Sequence, residues 1–190
     1  MLEALQDPQQ QAAWEAFDRR YRPILVGFAR NLGLVEEDAA DVAQETLARF
    51  VIEYRDGRYD RDRGRLGAWL VGIARYRVLD HHRKRAGKRQ LVGESAIVDL
   101  DDQAQLSRIW EEERRRSVLR TAMDELQSNT RTNPKTIKVF ELLMVHGLSS
   151  QNVAEQLEMT VHDVYIAKSR VAQRLRSIVE RLESEYDDAA

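Results

Sequence analysis

Glu36-Glu37-Asp38-Ala39-Ala40-Asp41-Val42-Ala43-Gln44-Glu45 sets five carboxylates among ten residues with no basic partner. Further on, Arg75-Tyr76-Arg77-Val78-Leu79-Asp80-His81-His82-Arg83-Lys84-Arg85-Ala86-Gly87-Lys88-Arg89 sets seven Lys or Arg against one Asp. Ala39, Val42, Thr46, Phe50 and Tyr54 form one stripe from the first run, and Trp69, Ile73, Tyr76 and Leu79 form one ahead of and into the second. Each therefore reads as an amphipathic helix, over residues 37–54 and 66–85. Between them, residues 55–64 are too polar and glycine-rich for either regular element. Two helices of opposite sign suggest one face for a basic protein partner and another for a polyanion. The acidic turn also has a plainer reading, because carboxylates are favourable at the positive end of any helix dipole.

The whole chain has 190 residues, enough for one domain or two small ones with a real core. It is 43% hydrophobic and 33% charged, with three Pro and nine Gly, a helix-rich profile rather than a disordered one. Net charge is −2, so the bulk charge does not announce a nucleic-acid binder; the asymmetry along the chain carries that information. Zero cysteines exclude disulfides, thiolate metal sites and a cysteine nucleophile, which suits a reducing cytoplasm. The first eight residues have neither a basic nor an apolar signal-peptide region, and no apolar run approaches the ~20 residues that cross a bilayer. A cytoplasmic protein without membrane insertion is expected.

Ahead of the acidic run, Trp14, Phe17, Tyr21, Leu25 and Phe28 predict a helix over residues 9–31, with Pro23 expected to kink or restart it. Gly33 suits the left-handed position after that helix. Beyond the basic run, residues 91–105 turn acidic and lose periodicity, and read as a linker. A helical pattern resumes at about residue 105 and continues to 126. Within it, Glu111-Glu112-Glu113-Arg114-Arg115-Arg116 offers three i,i+3 and two i,i+4 opposite-charge pairs. Pro134 suits the first turn of a helix that Gly147 ends.

Residues 148–171 then carry a second constellation. Ser149 or Ser150 can cap a short helix ending near Leu157, and Thr160 a longer one starting at Val161. Ala154 is small where two helices would cross, and Leu157, Met159, Val164 and Val171 supply a buried side. This is helix-turn-helix spacing, and a plain helical hairpin is the bland alternative. The turn is imperfect: Glu158 stands where glycine usually takes the left-handed conformation, at a cost of about 1–2 kcal/mol. Lys168, Arg170, Arg174 and Arg176 add cations suited to phosphates.

No catalytic constellation is found. Adjacent His81 and His82 point about 100° apart on a helix and sit beside Arg83, Lys84 and Arg85, which would repel a metal ion. His146 and His162 sit near helix ends. There is no Gly-rich phosphate loop and no HExxH. Neither an enzyme activity nor a cofactor or metal is expected.

Both constellations, in this order, resemble the extracytoplasmic-function (ECF) branch of the bacterial RNA polymerase sigma factors. Asp38-Ala39-Ala40-Asp41-Val42-Ala43-Gln44-Glu45 with Phe50 is similar to the family's second region, and Leu66-Gly67-Ala68-Trp69-Leu70-Val71-Gly72-Ile73-Ala74-Arg75 with Asp80 and Arg83 to its melting and minus-ten-reading segment. Residues 110–145 and the helix-turn-helix resemble the fourth region, with Val164-Tyr165-Ile166-Ala167-Lys168-Ser169-Arg170-Val171 matching one subgroup. The chain departs at Tyr76, where Asn is common, and at Tyr165-Ile166-Ala167, where many members carry Lys/Arg-Ser-Arg.

The resemblance implies an all-α protein of two small helical domains. A region-2-like domain would span 1–90, an acidic linker 91–108, and a region-4-like helix-turn-helix domain 109–184. It implies core RNA polymerase and promoter DNA as partners. It also implies an anti-sigma factor or another signal-linked control. Polymerase contacts would fall on Asp38, Asp41, Gln44 and Glu45. Minus-ten contacts would fall on Arg58, Tyr59, Arg61, Arg63, Arg75, Arg77, Arg83, Lys84 and Arg85. Minus-thirty-five contacts would fall on Thr160, His162, Tyr165, Lys168, Ser169, Arg170 and Arg174. Tyr59 is the stacking candidate because its loop is polar, although an ordinary loop tyrosine fits equally; Trp69 and Ile73, at helical spacing, read as core. The rival is a free-standing helix-turn-helix regulator that binds an operator without polymerase, which leaves the acidic-then-basic arrangement unexplained.

Overall fold

The computed structural model describes residues 2–7, 9–60, 62, 64–88, 102–128 and 133–187. A short 3-10 helix (Leu2–Gln6) precedes α1 (Gln11–Asn31), α2 (Glu36–Arg55), α3 (Leu66–Lys88), α4 (Gln103–Ser128), α5 (Pro134–Met144), α6 (Ser150–Gln156) and α7 (Val161–Asp187). The described residues contain no strand, as the all-helical expectation requires. None of these helices is long and apolar enough to cross a membrane. The chain divides into two compact units between Ser117 and Val118, inside α4.

In the first unit, α1, α2 and α3 each bury one stripe. Phe17, Ile24, Leu25 and Phe28 of α1, Leu47 and Phe50 of α2, and Leu70 and Val78 of α3 are all fully buried. Phe17 stacks on Phe50 with ring centroids 5.3 Å apart. Buried Thr46 donates its hydroxyl to the Val42 carbonyl at 2.7 Å, so its polar group is satisfied. The helix does not restart at Pro23, which lies inside an unbroken α1. Proline in a helix interior costs about 3 kcal/mol, whereas fully burying each large apolar side chain yields about 1.5–3 kcal/mol. Ile24, Leu25 and Phe28 together outweigh the penalty. Gly33, at φ +91°, ends α1 as expected: its N–H donates to the Arg30 carbonyl and that of Leu34 to Ala29.

The first half of α4 belongs to this unit as well, so the division falls after residue 109, where the second domain was expected to begin. Asp102 caps the helix by accepting from the N–H groups of Ala104 (2.9 Å) and Gln105 (3.0 Å). Helix is therefore already in place from Gln103, inside the connection assigned to 91–108; residues 89–101 lie outside the described set. Two glycines receive this half-helix. Buried Trp110 lies so close to Gly67 that a Cβ there would sit 2.7 Å from its Nε1, and its ring meets Phe28 edge-on. Glu113, only 7% exposed, lies over Gly27, where a Cβ would collide with its carboxylate. Asn31 donates to Glu113 at 3.1 Å and Arg116 pairs with it, so the buried carboxylate is not orphaned.

The second unit holds two packed clusters. Val139 and Leu142 of α5, Val153 and Ala154 of α6, and Val164 and Ala167 of α7 form one, joined by Leu148, Leu157 and Met159. Ala122 and Leu126 of α4 with Val171 and Ile178 of α7 form the other, and Phe140 packs on it. An Arg181–Glu125 pair ties the same two helices together. The Asn133 side chain accepts from Lys135 N–H at 2.9 Å while Pro134 opens α5, as its sequence position suggested.

Candidate functional site

The acidic turn begins α2, with Val35 at its N-cap and Glu36, Glu37 and Asp38 in its first turn. Asp41, Gln44 and Glu45 are exposed and share a face at i, i+3 and i+4. Asp38 is half-buried. Its Oδ1 lies 3.2 Å from His81 Nε2, and its Oδ2 lies 3.6 Å from Arg85 Nη1. Glu45 Oε2 lies 3.7 Å from Arg77 Nε. The acidic and basic runs, expected as separate faces, thus meet along one edge.

The remaining α3 candidates are distributed differently. Arg83 pairs with Asp80 on its own helix at 3.5 Å, and Lys84 is exposed. The Arg75 guanidinium stands 5.8 Å from the Tyr76 ring centroid, and Tyr76 is 65% exposed. His82 Nε2 lies 3.1 Å from the Leu32 carbonyl, so the adjacent histidines turn to different partners, as their helical angle required.

In the loop, Arg58 is exposed and lies 3.8 Å from Asp56, while Arg61 and Arg63 fall outside the described residues. Tyr59 belongs to an aromatic cluster instead of standing free: its ring centroid is 5.7 Å from Phe50, 6.0 Å from Tyr54 and 5.8 Å from Trp69. The polar neighbours concealed that packing at the level of sequence. Trp69 donates to Glu53 at 3.0 Å, which Arg49 also holds at 2.7 Å. Burial, with Glu3 nearby, pushes the Tyr54 phenol above its ordinary range.

The turn joining α6 to α7 has the irregularity read in the sequence. Glu158 is left-handed, with φ +50°, and the Met159 N–H closes the helix end by donating to Ala154 at 2.9 Å. Ser149 caps α6 by accepting from Asn152 N–H at 3.2 Å. Thr160 caps α7: its hydroxyl accepts from Asp163 N–H at 3.0 Å and donates to the Asp163 carboxylate at 2.7 Å. That hydrogen bond holds the Asp163 carboxyl below its usual range.

His162, Tyr165, Lys168, Ser169, Arg170 and Arg174 are all exposed. At about 100° per residue, His162, Tyr165 and Ser169 share one strip, while Arg170 and Arg174 form a second strip roughly 120° away. Lys168 flanks Tyr165 one turn on. The cations therefore do not make a single row. What sequence reading missed was the α2–α3 pairing; Arg77, His81 and Arg85 at four-residue steps were its available signal.

A family model described as sigma-70 region 2 matches residues 17–88. Three proteins, each named ECF RNA polymerase sigma factor SigD, are 32% identical to this chain over 160 residues, which is 82% of this chain and 71% of theirs. One comes from Mycobacterium bovis and two from the CDC 1551 and H37Rv strains of Mycobacterium tuberculosis.

Proposed function

The chain belongs to the ECF sigma factors, which direct RNA polymerase to promoters, and we propose how its two units divide that work. The first unit would hold core polymerase through Asp41, Gln44 and Glu45, with Asp38 beside them, and would touch the minus-ten DNA with the loop around Arg58 and the cations of α3. The second unit would place α7 in the major groove at the minus-thirty-five element. Its strip of His162, Tyr165 and Ser169 would face base edges, and Lys168, Arg170 and Arg174 would meet phosphates on either side. Thr160 would contribute chiefly by capping the helix that presents them.

The observation that supports this reading best is the pair of exposed surfaces: an acidic turn on α2, and a capped helix whose outward residues are polar, aromatic and basic. A sigma factor need not be strongly basic, because polymerase supplies much of the affinity for the template. The protein would work in the cytoplasm, without a catalytic or metal centre of its own. An anti-sigma factor, where one serves this chain, would act by covering these surfaces.

Run-off transcription with purified core polymerase on a genomic fragment library tests the proposal. Discrete transcripts that require both components are expected. Sequence-specific binding by the free chain, with no transcripts when polymerase is added, would instead assign it to the free-standing regulators.

A further inference from the structure

We propose that Asp38 and Glu45 serve as built-in counter-ions for α3, so that docking on polymerase and binding of DNA are coupled through one set of ion pairs. The coupling to polymerase rests on the placement of α2 at the core-polymerase contact; the counter-ion role itself does not. Arg77, His81 and Arg85 recur every four residues along α3 and meet Asp38 and Glu45, seven residues apart, across an antiparallel helix pair. Both oxygens of Asp38 are engaged, Oδ1 by His81 at 3.2 Å and Oδ2 by Arg85 at 3.6 Å, and Glu45 lies 3.7 Å from Arg77. The side chains remain partly exposed, at 26% for Asp38 and 34% for Arg77, so water competes for the pairs and exchange for another partner is inexpensive.

The consequence is competition for one set of charges. A carboxylate with both oxygens taken accepts a basic group from another protein by giving up a partner. A guanidinium beside a carboxylate reaches a phosphate by leaving it. A basic surface that captures Asp38 and Glu45 therefore releases Arg85 and Arg77 toward DNA. By linkage, DNA that captures the arginines opens the carboxylates to polymerase, and the two effects must be equal. In the free chain the pairs mute α3; in the complex they are exchanged. Arg83 stands apart from this set, since its carboxylate partner Asp80 lies on its own helix.

The test is the affinity of the free full-length chain for a single-stranded oligonucleotide, followed by fluorescence anisotropy across a salt series. The chain carrying Asp38→Asn and Glu45→Gln is compared with wild type. A control carries Glu36→Gln and Glu37→Gln, which make the same charge change on the same helix and release Arg30 of α1 rather than a cation of α3. A third chain adds Arg77→Ala and Arg85→Ala to the first pair.

Release of two cations predicts tighter binding by the first variant, with a log–log salt slope steeper by about 1.4, so that its advantage shrinks about sevenfold between 50 and 200 mM salt. The control should stay near wild type, and the gain should vanish when both arginines are removed. An equal gain in the control, no gain in the first variant, or a gain that survives loss of the arginines would overturn the proposal. Arg77→Ala with Arg85→Ala alone should also tighten core-polymerase binding, and unchanged or weaker binding there would break the coupling. Because the oligonucleotide assay contains no polymerase, it can fail while the polymerase assignment stands. Conversely, the assignment can fail while the counter-ion effect persists.

Discussion

Glu158 holds a left-handed backbone that glycine adopts without strain. Glu158→Gly should therefore stabilise the second unit by about 1 kcal/mol, while Glu158→Gln, which removes only the charge, should not. All three tryptophans (Trp14, Trp69 and Trp110) lie in the first unit, so urea unfolding followed by circular dichroism should shift upward while the tryptophan-fluorescence transition stays in place. A matching gain from Glu158→Gln would trace the effect to charge. Two residues on, Thr160→Ala should cost about 1 kcal/mol through the lost cap, and should return the Asp163 carboxyl toward its ordinary range. The sign follows from that depressed value: the contribution of Asp163 is present above its unfolded titration and is lost as pH falls through the folded one. The gap between wild type and Thr160→Ala should thus narrow in acid without closing, since the backbone cap does not titrate, as pH-dependent urea midpoints would reveal. Glu158 and both caps were legible in the sequence, because each depends on local backbone chemistry. Tyr59 was not, because its partners Phe50, Tyr54 and Trp69 come from two different helices.

Among elements, the long periodic helices could be read to within a few residues, and the exceptions came from long-range packing. Pro23 does not restart α1, because buried side chains follow it. The start of α4 was hidden because Asp102 looks like one more linker acid until the N–H groups it caps are in view. Glu113 looked like a member of a surface charge ladder, yet Gly27 gives it room to be buried. The glycine seats make the next prediction: Gly67→Ala should push against the Trp110 indole and destabilise the first unit by about 1–3 kcal/mol, visible in the tryptophan-fluorescence transition. For α3, replacing Arg83, Lys84 and Arg85 by Ala should reduce open-complex formation and flatten its salt dependence. Unchanged permanganate footprints of the melted strand would remove those residues from the DNA contact.

For the molecule as a whole, near-neutral charge is the sum of runs of opposite sign, −2 being the remainder of 30 basic and 32 acidic residues. Order along the chain was informative because an acidic run before a basic one, with a helix-turn-helix after both, has few other uses. The meeting of α2 with α3 was not readable from that order, since it requires knowing which stripes face each other. At this scale the proposal is that negative side chains on α2 grip polymerase. Its most direct test is the equilibrium affinity of the full chain for core RNA polymerase, wild type against Asp41→Lys with Glu45→Lys. Like charges set against a basic partner surface should weaken binding at least about tenfold, roughly 1.4 kcal/mol, with α-helical content unchanged; an affinity equal to wild type would contradict the account.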